Sequence, residues 1–193
     1  GILLRVTRIG PTAGDATPLN KHLQPHKNVP RLAEVKNLAS TVAVGYTDSL
    51  GKARAMYDYV RQTMVYDKSV PGYGQGDVRY ALRTRKGNCT DFHSLFLAMC
   101  RSQGVPARFI MGASLNTETT GLGFINGYHC WAEFHDGKGW EPVDLTRGPS
   151  FGTMDGTDRV RVSVGRDILL PGHPQKRRVN YLFGPYIEVN GVP

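Results

Sequence analysis

Residues 87–106 read GNCTDFHSLFLAMCRSQGVP, and this stretch predicts a buried central helix that begins at a cysteine. Asn88 is a favoured N-cap residue, and Asp91, three positions later, suits the positive end of the helix dipole. Gly104 ends the helix and Pro106 prevents it from restarting. Apolar side chains surround the helix on nearly every side, as is typical of a helix inside a core. They are Phe92, Leu95, Phe96, Leu97, Met99 and Cys100.

Helical patterns precede this stretch, and strand patterns follow it. An apolar face that repeats from Ala53 to Met64 predicts a helix from Asp48 onward, and a shorter helix is expected from Pro30. The predicted strands cover residues 107–113, 128–135, 140–145, 160–164 and 179–189, with a leading strand over residues 2–6. Helices first and antiparallel strands afterwards predict an α+β fold.

The length of 193 residues predicts a single domain, with 40% apolar and 21% charged residues as expected for a globular chain. We divide it into an N-terminal arm and helices (about 1–66), a core (about 67–147) and a C-terminal β extension (about 148–193). No stretch has the apolar length of a membrane span. The sequence starts at Gly1 without a Met, which suits a piece of a longer protein.

The net charge of +8 is compatible with several acidic partners, such as nucleic acid or an envelope polymer. Basic clusters occur at residues 83–86 and 176–178. No RNP, helix-turn-helix or zinc-finger motif accompanies them. We therefore interpret the charge as a solvated basic surface without a specific nucleic-acid partner, and an acidic substrate would suit it.

Cys89 takes the first position of the central helix, beside unpaired backbone N–H groups. Those groups and the helix dipole favour an anion and lower the pKa of a thiol toward neutrality. The backbone N–H of Cys89 is also a natural donor to an oxyanion. Three cysteines form no disulfide framework, and Cys100 and Cys130 lie in buried patterns. Cys89 is therefore predicted to be a free, reactive thiol.

The turn between two predicted strands fixes the relation of His129 to Asp144. A two-residue loop over Asp136-Gly137 places His129 directly opposite Asp144. A four-residue loop over residues 136–139 makes them diagonal neighbours instead. Both registers keep the two residues on one face of the sheet, within roughly 5–8 Å. A loop of odd length would put them on opposite faces.

Alternation along the first of these strands also assigns the neighbours of His129. Trp131 and Glu133 share its face, whereas Cys130 points the other way and is predicted to be core. Either Trp131 or Trp140 would then shield the imidazole from water.

Together, Cys89, His129 and Asp144 predict a thiolate site for acyl transfer, in which the imidazole moves the proton and the carboxylate orients the imidazole. A zinc site is the alternative, because Cys89 and His93 are four residues apart on one helix and His129-Cys130 could add ligands. Adjacent strand residues point to opposite faces, however, and no CxxC is present, so no metal is predicted. His93 is then expected to be a buried, hydrogen-bonded histidine beneath the site.

Four segments in order resemble the transglutaminase-like core superfamily, in its bacterial branch. They are GNCTDFHSLF (87–96), RSQGVPAR (101–108), HCWAEF (129–134) and GWEPVD (139–144), and the resemblance covers about residues 50–147.

The resemblance implies a papain-like cysteine proteinase/transglutaminase core, with the Cys89 helix packed on an antiparallel sheet. It also implies amide chemistry on a protein or peptide substrate, by hydrolysis or transamidation. The calcium sites of animal transglutaminases have no counterpart in this sequence, so neither calcium nor another cofactor is predicted. An upstream side chain of the family aids the oxyanion, and Tyr73, Gln75 and Tyr80 are the candidates here. The alternative is a catalytically silent module of the same fold that binds peptide or envelope polymer. Compartment (bacterial cytoplasm or export), oligomeric state and acyl donor stay open.

Overall fold

The computed structural model describes residues 19–114, 127–148, 150–154 and 159–184. The helices are a 3-10 helix (Leu19–Leu23), α1 (Ala33–Val42), α2 (Ser49–Thr63), α3 (Val78–Thr84) and α4 (Cys89–Ser102). The strands are β1 (Val65–Tyr66), β2 (Lys86–Gly87), β3 (Ala107–Ser114), β4 (His129–His135), β5 (Trp140–Asp144), β6 (Ser150–Phe151), β7 (Arg159–Val164), β8 (Ile168–Leu169) and β9 (Arg178–Val179). Within these ranges no helix has the length and hydropathy needed to cross a membrane.

Five strands form the main sheet, in the order β6-β5-β4-β3-β7 with every neighbouring pair antiparallel. Helix α4 packs against β3 and β4, while α1, α2 and α3 surround its other sides. Every residue of α4 from Cys89 to Cys100 is buried. The fold is therefore α+β, with the cysteine-bearing helix on an antiparallel sheet, which confirms the predicted fold class.

Side-chain caps mark the starts of α2, α3 and α4, whereas α1 begins without one. Asp48 accepts a hydrogen bond from the Gly51 N–H at the start of α2 (2.8 Å). The predicted short helix begins at Ala33 and not at Pro30, so Pro30 precedes it. Helix α3 was not predicted; it is only seven residues long, and Asp77 caps it through the Arg79 N–H (2.9 Å). The predicted leading strand at residues 2–6 lies outside the described residues.

The hairpin between β4 and β5 has the four-residue loop. His135 pairs with Trp140, and the Asp136 carboxylate accepts hydrogen bonds from the backbone N–H groups of Lys138 (2.7 Å) and Gly139 (2.8 Å). These bonds fold the loop back on itself and exclude the two-residue alternative. His129 and Asp144 are therefore diagonal neighbours on one face of the sheet.

The two faces of the main sheet differ in chemistry. The side facing α4 is apolar and belongs to the core, and Cys130, Ala132 and Phe134 are fully buried there. On the other side Glu133 pairs with Arg108 (2.6 Å) and with Arg161. The predicted alternation along β4 is thus confirmed.

Candidate active site

The start of α4 is held by a capping box and by the glycine-rich loop before it. The Asn88 side chain accepts from the Thr90 N–H (2.9 Å), and the Asp91 carboxylate accepts from the Asn88 N–H (2.9 Å). Asp91 also accepts from the N–H groups of Gly74 (2.7 Å) and Gly76 (2.9 Å). Cys89 is thereby fixed at the first position of the helix, with 5% of its surface exposed.

Cys89, His129 and Asp144 interact with one another at the start of α4 and on the neighbouring strands. The Nε2 atom of His129 lies 2.6 Å from Asp144 Oδ2, and the interaction with Cys89 helps to raise the pKa of His129. The fully buried Asp144 accepts at Oδ1 from the backbone N–H groups of Thr146 (2.9 Å) and Arg147 (3.0 Å). The structure therefore brings together the three side chains that the sequence singled out.

The charges of these groups depend on one another. A hydrogen bond with the Cys130 thiol lowers the pKa of Cys89 most; burial opposes it, and the hydrogen bond with His129 lowers it further. Burial alone would lower the pKa of His129, but the hydrogen bonds with Asp144 and Cys89 outweigh it and raise this pKa to about 9. Burial would raise the pKa of Asp144, yet the hydrogen bond with His129 and the charge of His129 bring it well below its usual range. These shifts favour a thiolate, an imidazolium and a carboxylate together.

His93 lies beneath the site and links the helix to the strand that carries Asp144. Its Nδ1 is 2.7 Å from the Cys89 carbonyl oxygen, and its Nε2 accepts from the Leu145 N–H (3.0 Å). Since the carbonyl can only accept, Nδ1 carries the proton and the ring is neutral; burial lowers the pKa of His93 in agreement with this. The predicted role of a buried, hydrogen-bonded histidine is confirmed.

Cys130 is core, as predicted, but it also influences the candidate nucleophile. Its sulfur lies 3.7 Å from Thr90 Oγ1 and 4.0 Å from His93 Nδ1, and its interaction with Cys89 is the largest cause that lowers the pKa of Cys89. Strand alternation did not reveal this interaction. In the part of the chain that the structure describes, all three cysteines are free and no three His, Cys, Asp or Glu side chains are arranged to hold a metal ion.

The predicted oxyanion candidates occupy different places. The Tyr80 hydroxyl, on a buried side chain, donates to the Val70 carbonyl oxygen (3.2 Å). Tyr73 lies in the glycine-rich loop with 38% of its surface exposed. Gln75 is exposed in the same loop, and its carbonyl oxygen accepts from Asn28 (3.0 Å).

Only one of the two tryptophans lies beside the imidazole. The ring of Trp131 is tilted against that of His129, with 6.3 Å between centroids, as expected for a residue that shields it. The guanidinium carbon of Arg108 instead lies 3.9 Å from the centroid of the Trp140 ring, and the His135 ring packs edge-on against the same tryptophan. The prediction that allowed Trp140 to shield His129 does not hold, because the four-residue loop places it at the far end of β4.

Two residues at the site were missed by the sequence reasoning. Tyr66 is 51% exposed, and its pKa is raised to about 12, first by the burial of part of its ring and then by the negative charge of Cys89. Arg159 donates from Nη2 to Asp144 Oδ2 (2.8 Å). Tyr66 lies in a two-residue strand without periodicity, and Arg159 comes 15 positions after Asp144, so no local pattern marks either one.

Comparison with known proteins matches most of this chain to a family. The profile of the transglutaminase-like superfamily matches residues 36–145. An uncharacterized protein of Haemophilus influenzae is 31% identical over 82% of this chain, and YebA of Bacillus subtilis is 24% identical over 75%. This chain spans only 54% and 21% of the lengths of those two proteins.

Two solved structures share the fold. A candidate cysteine protease from Cytophaga hutchinsonii superposes with a TM-score of 0.61 at 21% identity, over 76% of this chain and 46% of that one. The periplasmic domain of TgpA from Pseudomonas aeruginosa, bound to ethylmercury, superposes with a TM-score of 0.54 at 24% identity. This match covers 68% of this chain and 49% of the TgpA domain. Because the family profile covers more than half of the sequence, the chain belongs to the transglutaminase-like superfamily.

Proposed function

We propose that this protein is a cysteine-dependent acyl-transfer enzyme that acts on amides of peptides or of glutamine side chains. The observation that carries the proposal is the buried Cys89 at the first position of α4 together with the His129–Asp144 hydrogen bond (2.6 Å), with the pKa of Cys89 below and the pKa of His129 above the ordinary range. A thiolate beside an imidazolium is the resting state that thiol acyl transfer needs.

In the first half-reaction the Cys89 thiolate attacks the amide carbonyl carbon and forms a tetrahedral oxyanion. The Cys89 N–H has no partner four residues earlier in its helix, so it is available to this oxyanion. Tyr66, whose pKa is raised by the charge of Cys89 after burial, keeps its proton, and we propose it as a second donor. The imidazolium of His129 then protonates the leaving amine, the C–N bond breaks, and a thioester remains on Cys89.

In the second half-reaction the neutral His129 takes a proton from water or from a primary amine, which attacks the thioester carbon. The C–S bond breaks, and Cys89 leaves as the thiolate while His129 is again an imidazolium. Water gives hydrolysis and an amine gives transamidation. Asp144 stabilises the charged imidazole in both steps, held by its contacts with Thr146 and Arg147.

The test uses a glutamine-containing protein such as casein with a fluorescent primary amine, and the same protein alone for ammonia release. We expect activity in the parent, loss of activity in Cys89→Ala and a mass shift on Cys89 when the thioester is trapped. Cys100→Ala is the matched control, because Cys100 is buried in the same helix far from the site. If Cys89 in the parent reacts with iodoacetamide no faster than a free thiol at neutral pH, the proposal is wrong.

A further inference from the structure

Two nitrogen donors converge on one oxygen of Asp144. His129 Nε2 is 2.6 Å from Oδ2, and Arg159 Nη2 is 2.8 Å from the same atom. Arg159 Nη2 also donates to the Arg147 carbonyl oxygen (2.8 Å), and the Arg159 side chain is only 7% exposed. The guanidinium is thus held by both the carboxylate and the turn that follows it.

The net charge of Cys89, His129 and Asp144 has to be balanced by a cation such as Arg159. A Cys89 thiolate, a His129 imidazolium and an Asp144 carboxylate sum to one negative charge in a buried site, and an uncompensated buried charge is costly. Among the described residues, three further titratable groups interact with Cys89, and none of the three adds a positive charge. His93 on α4 is neutral, Cys130 on β4 keeps its proton because its pKa is raised, and Tyr66 on β1 does likewise.

We propose that Arg159 is a positioning residue of this site: its cation balances the Asp144 carboxylate and fixes the oxygen that His129 binds, and it thereby sets the pH range in which the thiolate–imidazolium pair exists. This inference rests on the function proposed above. It names a residue beyond Cys89, His129 and Asp144, on a strand that contributes none of them.

The strand that carries Arg159 offers a matched control. Arg161 lies two residues along β7 on the same face, pairs with Glu133, and its side chain is 46% exposed. Substitution of either arginine by glutamine removes one positive charge from the same strand. Only Arg159→Gln removes the positive charge next to Asp144, and the glutamine amide can still donate a hydrogen bond at that position. Arg159→Lys keeps the charge and loses the planar guanidinium.

The experiment measures the iodoacetamide alkylation rate of Cys89, and kcat with the casein assay, as functions of pH in the parent and the three variants. A nearby cation stabilises the thiolate and disfavours the imidazolium, so its removal raises the pKa of both groups. The acidic limb of the pH profile reports the ionisation of Cys89, and the basic limb reports the ionisation of His129. We expect Arg159→Gln to move both limbs to higher pH by about 1 unit and to lower kcat. Arg159→Lys should keep the limbs near those of the parent, and Arg161→Gln should leave both limbs and kcat unchanged.

If Arg159→Gln lowers kcat but leaves both limbs at the parent pH, the arginine is merely structural and the inference is overturned. The same holds if Arg161→Gln moves the limbs as far as Arg159→Gln does. If Arg159→Gln does not fold, the test passes to Arg159→Lys, in which moved limbs would contradict the charge argument. An ordinary, unactivated Cys89 in the parent would instead overturn the proposed function itself, so the two failures are distinct.

Discussion

The Cys130 thiol should set the acidity of Cys89, and its removal tests this directly. Burial and the neighbouring Cys89 raise the pKa of Cys130, so it keeps its proton and can only donate to the thiolate. A hydrogen bond to a charged group contributes about 1.5–3 kcal/mol, and one pKa unit corresponds to about 1.4 kcal/mol. We therefore expect Cys130→Ala to raise the pKa of Cys89 by about 1–2 units.

The assay is the pH dependence of iodoacetamide alkylation, with mass spectrometry to count label on Cys89 alone. Cys130→Ser keeps a donor and should shift the pKa of Cys89 less than Cys130→Ala does. Cys100→Ala is the control, since eleven residues of helix place it about 16 Å along α4 from the nucleophile. Urea unfolding of each variant separates a change in acidity from a loss of structure. An unchanged pKa of Cys89 in folded Cys130→Ala would refute the reasoning.

Three further predictions follow from other contacts. Gly112→Ala should lower the free energy of unfolding by about 1–3 kcal/mol, because a Cβ would lie 2.1 Å from the Val160 carbonyl oxygen and 2.7 Å from the Trp131 ring; urea unfolding with parent-like stability would contradict this. The pKa of His129, raised to about 9, gives stability that is present below its unfolded pKa of about 6.5 and lost as pH rises through 9. The difference in unfolding free energy between the parent and His129→Ala should therefore shrink between pH 6.5 and 9, and a constant difference would count against the ion pair. Tyr66→Phe should lower kcat at least 10-fold with little change in KM, as for a donor to the oxyanion; a change in KM alone would assign Tyr66 to substrate binding.

The candidate nucleophile could be found from the sequence because its signals are local. Asn88, Cys89 and Asp91 lie within one helical turn, and the apolar run that follows needs only helical periodicity to be recognised as buried. His129 and Asp144 needed one assumption more, the loop length between their strands. The Asp136-Gly137 pair is compatible with a loop of two or of four residues. Both lengths are even, so both place His129 and Asp144 on the same face of the sheet, and the prediction held.

Strand alternation predicted that Cys130 belongs to the core and takes no part in the site. It placed this residue correctly on the core face, opposite to His129. Cys130 and His129 nevertheless both lower the pKa of Cys89, although they point to opposite faces of β4. Alternation assigns a strand residue to one face of the sheet, but it does not say which residues of a neighbouring helix lie close to that residue.

Asp144 shows why the remaining contacts could not be read from the sequence. Its oxygens receive the N–H groups of its own turn, the imidazole of β4 and the guanidinium of β7, while His93 of α4 lies 3.9 Å from Oδ1. Each of these groups comes from a different element, and none stands at a fixed spacing from the others. They converge because a buried carboxylate without partners would be costly, so the fold has to bring donors to it from several directions. The polar contacts that position the imidazole are therefore also contacts that join α4, β4, β5 and β7, and a substitution that disturbs one of them should be measured for stability and for thiol reactivity together.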